Sequence, residues 1–181
     1  MGRRGIPARH TGFTIIELLL VVTLIGIVSA IAVPLLGRAK GAAYEASTIG
    51  SLRAIHSAEA LFASTCGGGY FAPTIPSLAT KPPGSKAPFI DPGFTANTFV
   101  RQKYTVRFTK GTVAAAAPAT CNGLAKGQAV NTYFLAADLL VATPGMSRYF
   151  GVNPSGVIFQ STVRVPVTQA GAPPAPAKPI A

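Results

Sequence analysis

From Leu18 to Gly37 the chain runs through 20 consecutive uncharged, mainly apolar residues, and this run constrains everything downstream of it. At about 1.5 Å per residue, a helix of about 20 residues spans the roughly 30 Å hydrocarbon core of a bilayer. The segment is therefore expected to insert. Arg3, Arg4, Arg9 and His10 lie upstream, Arg38 and Lys40 downstream, a balance that modestly favours a cytoplasmic N-terminus and an outward-facing body. A conventional secretory signal has a shorter apolar run, about 7 to 15 residues. The Arg3-Arg4 pair lacks the spacing and surroundings of a twin-arginine signal.

Glu17 sits one helical turn into the apolar stretch, which begins at Phe13. A carboxylate near the middle of a membrane helix costs about 2.5 to 3.5 kcal/mol on insertion scales, less toward the interface, and tends to mark function. No Lys or Arg lies between Phe13 and Gly37, so no cation on the same helix can pair with it. Helix physics alone leaves two readings: a partner supplied by another chain, or an acid solvated in the headgroup zone.

The run Gly12-Phe13-Thr14-Ile15-Ile16-Glu17-Leu18-Leu19-Leu20-Val21-Val22, continuing through Ile25-Gly26-Ile27 and Ala30-Ile31-Ala32-Val33-Pro34, resembles the prepilin leader and helix of type IV pilins and type II secretion pseudopilins. The resemblance covers a small part of the chain, yet a glycine, an aromatic, an acid and a membrane segment occur in fixed order. It implies a leader of residues 1–12 and a hydrophobic segment of residues 13–37. It further implies cleavage between Gly12 and Phe13 by a prepilin peptidase on the cytoplasmic side, with N-methylation of the new Phe13 amine. In that family the acid at the position of Glu17 pairs during assembly with the terminal ammonium of a neighbouring subunit. Such a pair offsets desolvation only when the partner is in register, which makes a costly carboxylate a docking signal.

Gly26 and Pro34 interrupt the same helix. Gly is about 1 kcal/mol and Pro about 3 kcal/mol worse than Ala in a helix interior. An ordinary kink is one consequence. The resemblance implies another, local unwinding of Gly26 to Pro34 in the assembled fibre.

The 181 residues allow one ordinary domain plus extra segments. Only 12% are charged, against 19 Gly and 16 Pro, so the apolar stretch is joined to a loop-rich body. An α+β, pilin-like head over residues 38–165 is expected, with a long N-terminal helix packed on an antiparallel sheet of about four strands. Residues 38–65 are Ala-rich and free of Pro, and Ile49, Leu52, Ile55 and Phe62 form an amphipathic stripe. Cys66-Gly67-Gly68-Gly69 should stop that helix. The Pro-rich remainder of 66–100 reads as a loop. Alternation of Tyr104, Val106 and Phe108 with Thr105, Arg107 and Thr109 predicts a strand over 101–109. Further strands are expected at 130–137, 147–152 and 156–163, the last two joined by the turn Asn153-Pro154-Ser155-Gly156. The Pro-, Ala- and Gly-rich residues 166–181 read as a disordered tail.

Cys66 and Cys121, the only cysteines, both fall on the side assigned to the oxidising compartment. A disulfide is the natural pairing, tying the helix end to the loop 110–129 and worth about 4 kcal/mol by chain entropy; free buried thiols are the alternative. Many type IV pilins instead bracket a C-terminal region with both cysteines, so this placement departs from their commonest pattern. His56 and Glu59 are read as a local hydrogen-bonded pair. No nucleophile elbow or phosphate loop is present, and neither enzymatic activity, a cofactor nor a metal site is expected. Asp91 and Asp138 are the only acids after Glu59, too few for the oxygen-rich cage calcium prefers. Major secretion pseudopilins commonly hold calcium in the head, so the resemblance favours a pilin.

Without the three arginines of the first twelve residues, 13 cations face five acids, a surplus of +8. That surplus suits DNA, anionic lipid or cell-surface polymer, although the cations are scattered. The leading expectation is a structural subunit of a type IV pilus serving adhesion, twitching motility or DNA uptake. The alternatives are a type II secretion pseudopilin and a membrane-tethered DNA- or surface-binding module. Expected partners are further copies and related pilins, the prepilin peptidase, the pilus or secretion assembly platform and the membrane, with DNA as a further candidate. The chain is expected in the inner membrane as a single-pass protein, then in an extracellular or periplasmic filament.

Overall fold

The computed structural model describes residues 12–141 and 146–180. All but the last residue of the expected leader, including Arg3, Arg4, Arg9 and His10, lies outside the described residues. Helix α1 runs from Ile15 to Thr65 as one 51-residue element, roughly 75 Å at about 1.5 Å per residue. Its first half is clothed in Leu, Ile and Val, whose burial it lacks. Its second half lays Leu52, Ile55, Ala58 and Phe62 against a sheet. In this single chain α1 passes Gly26 and Pro34 unbroken, so the unwinding expected there is not seen.

The helix ends where Gly67 N–H joins Cys66 N–H in bonding the Phe62 carbonyl, at 2.7 and 2.9 Å. Only glycine fits at 67: a Cβ there would stand 2.2 Å from the Tyr70 carbonyl oxygen and 2.7 Å from the Phe62 ring. Cys66 is bonded to Cys121, with Cα atoms 5.1 Å apart. The chain then forms a short helix α2, Ile75–Ala79, capped by Thr74, which sends Ile75 and Leu78 into the core.

The sheet is an antiparallel meander in chain order: β1 Thr98–Arg101, β2 Tyr104–Lys110, β3 Tyr133–Leu139, β4 Tyr149–Val152, β5 Ile158–Ser161 and β6 Lys178–Pro179. One face presents Tyr104, Val106, Phe108, Tyr133, Leu135, Ala137, Phe150 and Val152 to α1, closing the main core. The α+β class and the long helix on an antiparallel sheet are as expected.

The sheet has six strands rather than about four. The expected strand 101–109 is the second arm of a hairpin whose turn holds Gln102 at φ 55; lacking Gly, Asn or Asp, that turn gives no sequence signal. The loop expected over 66–100 contains α2 and β1. The strand expected at 130–137 is shifted to Tyr133–Leu139, and Val130 instead makes isolated bridges to Phe71 and Val113.

The Pro-rich tail is also corrected. Rather than lying free, residues 165–180 run across the sheet as a strap. Val165 packs with Phe134 and Ala136 on the outer face. Asn153 Nδ2 donates to the carbonyls of Thr168 and Gly171 at 3.0 and 2.8 Å, and Ile180 N–H bonds the Ile158 carbonyl at 2.9 Å. Composition predicts that such a segment cannot make its own core; here the outer face of β3, buried along its whole length, supplies one.

Candidate processing and assembly segment

The start of α1 is set by a local device. Thr14 is the N-cap, and its Oγ1 accepts a hydrogen bond from Glu17 N–H at 3.2 Å. Thr-x-x-Glu is the sequence of a capping box, and an acid in the first turn suits the positive end of the helix dipole. Glu17 thus has a stabilising place within its own chain. Phe13, one residue outside the cap, is 79% exposed. Gly12 has open space around it and no left-handed backbone, so nothing steric within the chain demands glycine at that position.

Beyond Glu17 the shaft is bare. An 18-residue window of α1 has a mean hydropathy of 2.7 and is 0% buried. Such a helix is long and apolar enough to cross a membrane. Its apolar residues occupy every side, and the Thr23 hydroxyl turns inward to the Leu20 carbonyl at 2.8 Å, so the shaft offers lipid or neighbouring helices an almost wholly apolar surface.

The upper half of α1 is fastened to the head by polar groups inside its stripe. Buried positions recur at Glu45, Thr48, Leu52, Ile55, Glu59 and Phe62. Thr48 and Ser51 satisfy their hydroxyls on the carbonyls of Tyr44 and Ser47. Glu45 is buried and forms an ion pair with Arg148 at the start of β4, with Arg148 Nε at 3.0 Å. The Tyr104 hydroxyl donates to the Arg148 carbonyl at 2.9 Å and lies 3.5 Å from Glu45 Oε1. The hydrogen bond to Glu45 raises the affinity of Arg148 for its proton, and burial, then the neighbouring Glu45 charge, holds the Tyr104 hydroxyl protonated.

Glu59 is fully buried. Its Oε2 accepts from Ala72 N–H at 2.8 Å, while Oε1 has no hydrogen-bond partner among the described residues. Burial pushes its carboxyl up to about 8, against the opposing effect of the Ala72 hydrogen bond. The expected local pair with His56 is not formed. His56 Nδ1 meets the Tyr133 hydroxyl at 2.7 Å instead, because the sheet brings Tyr133 over that face of the helix. The spacing of three, four, three, four and three from Glu45 to Phe62 places both acids in the stripe, a signal that attention to apolar residues alone overlooks.

Among the described residues, no three His, Cys, Asp or Glu side chains are grouped as metal ligands. Asp138 is buried against Arg107. Asp91 is the one exposed acid of the described head.

Residues 7–33 match the family model for the prokaryotic N-terminal methylation motif. That motif is the leader signature of type IV pilins and pseudopilins, and it supports a pilin- or pseudopilin-like substrate of prepilin peptidase. Compared with curated proteins and with solved structures, the chain has no significant match. The motif and the bare apolar helix together are consistent with membrane anchoring before assembly.

Proposed function

We propose that the chain is a structural rather than catalytic protein: a subunit of a type IV pilus, cut between Gly12 and Phe13, methylated at Phe13 and assembled through α1. The observation that carries this reading is the bare apolar shaft with Glu17 as its single charge. A surface that apolar has two stable settings, lipid and a bundle of like helices. Glu17 favours the bundle, because a Phe13 ammonium on the adjacent subunit is a cation that the hydrocarbon core of a bilayer cannot supply.

The scarcity of exposed carboxylates in the head supports a pilus over a calcium-holding secretion pseudopilus. Glu17→Ala is expected to abolish surface fibres while leaving the processed chain in the membrane. Fibres that persist in that variant would sink the proposal. Mass spectrometry of the mature N-terminus should find methylated Phe13. Loss of fibres without loss of protein export on deletion separates the pilus from the secretion reading.

A further inference from the structure

Contacts along α1 and β2 orient the head above the bilayer. Glu45 lies eight residues past Gly37, about 12 Å along a helix rising about 1.5 Å per residue. Tyr104, at the start of β2, reaches Glu45, whereas Phe108, further along β2, stacks on Tyr133, which meets His56. So β2 climbs away from the membrane, and the β1–β2 turn points down toward it. The C-terminal end of β3 pairs with the beginning of β2, Leu139 opposite Tyr104, and Leu140 N–H bonds the Lys103 carbonyl at 2.9 Å. The downward end of the sheet therefore gathers Arg101, Lys103, Leu140 and Val141, with Arg38 and Lys40 where the shaft emerges.

The character of this end differs from an ordinary solvated rim. Leu140 is 51% exposed, Val141 64% and Val100 60%, yet they sit among Arg101 and Lys103, both exposed. A cleft of about 520 Å³ opens at the same end, lined by Ser147, Ser161, Thr162, Pro176 and Lys178 and by Arg148 and Gln160, which bond each other at 2.9 Å. The acids nearby are few. Glu45 is engaged by Arg148 and Asp138 by Arg107, leaving Asp91, which lines a groove with Val100 and Arg101.

We propose that this end of the head docks on the anionic phospholipid surface of the bilayer that holds its own shaft. Leu140 and Val141 enter the interface, the cations meet lipid phosphates, and the cleft beside them, with Lys178 on its wall, receives a headgroup. Exposed aliphatic tips ringed by Lys and Arg are the composition of an interfacial anchor. The tether fixes the partner: α1 holds this face beside phosphate at high effective concentration, before any second copy is met. The inference rests on membrane anchoring of α1 and not on fibre assembly.

The chain has no Trp, so Leu140→Trp places a lone indole reporter in the full-length protein, with Leu61→Trp on the upper part of α1 as control. Both are reconstituted in vesicles of phosphatidylcholine, with or without phosphatidylglycerol, carrying brominated acyl chains. With the anionic lipid, Leu140→Trp emission should shift to the blue and be quenched, while Leu61→Trp stays unquenched. Adding Arg101→Glu and Lys103→Glu, or high salt, should remove the effect. An unquenched Leu140→Trp in vesicles that carry the protein to the top of a density gradient overturns docking and leaves anchoring intact. Failure to float overturns both. A blue shift that follows protein density rather than lipid charge means a second copy covers the face, and overturns the proposal.

Discussion

Glu59 is where a single residue sets a property of the whole head. The folded chain keeps its carboxyl protonated up to about 8, against an ordinary value of 4.5. A raised carboxyl value means the folded state binds a proton the unfolded state releases, so this contribution to stability is complete below pH 4.5 and is lost as pH rises toward about 8. At about 1.36 kcal/mol per pH unit, the loss by neutral pH is on the order of 3 kcal/mol. Glu59→Gln keeps the acceptor for Ala72 N–H and cannot ionise. Thermal melts in detergent should show the wild-type midpoint falling across that window and the variant lacking the fall. What remains in the variant is the dependence of His56, whose value is lowered by burial. Its contribution is present above the ordinary value of 6.5 and is lost as the pH falls below it, a slope of opposite sign.

Among the elements, the strap over 165–180 carries the clearest test. Val165 is 5% exposed and lies on Phe134, and Gly151 leaves room for it: a Cβ at 151 would come within 2.6 Å of Phe134 and 3.0 Å of Val165. Burying a Val contributes about 1.5 to 3 kcal/mol. Val165→Asp should release the strap, β6 included, and leave β1 to β5 folded, seen as new proteolytic cleavage in 166–180 while β1 to β5 stay resistant.

Local pattern exposed the elements that carry their own signal. The stripe Leu52, Ile55 and Phe62, and the alternation from Tyr104 to Phe108, announce α1 and β2 because each has its own apolar period. The motif from Gly12 to Glu17 is legible because its residues are adjacent. β1 and the strap are illegible for a different reason: neither has an amphipathic pattern, and each is held by a surface built elsewhere in the chain. The polar fasteners Glu45–Arg148 and His56–Tyr133 were hidden likewise, since they join positions 103 and 77 residues apart.

For the molecule as a whole, the disulfide closes the path from helix to sheet. Cys66 ends α1, and Cys121 lies in the long connection between β2 and β3, 55 residues on. Replacing both by Ser should lower stability by about 2 to 5 kcal/mol. Reductant should lower the wild-type melting midpoint to that of the double variant and leave the double variant unchanged.

The unbroken upper half of α1 fixes attitude as well as attachment. No proline or loop separates Arg38 from Thr65, and ion pair, core and disulfide clamp that stretch to the sheet. A head built this way cannot swivel on the upper half of α1. Any array made from such rods repeats one relation of head to upper helix along its length, and tension that has reached Arg38 passes to the sheet without a further hinge to absorb it.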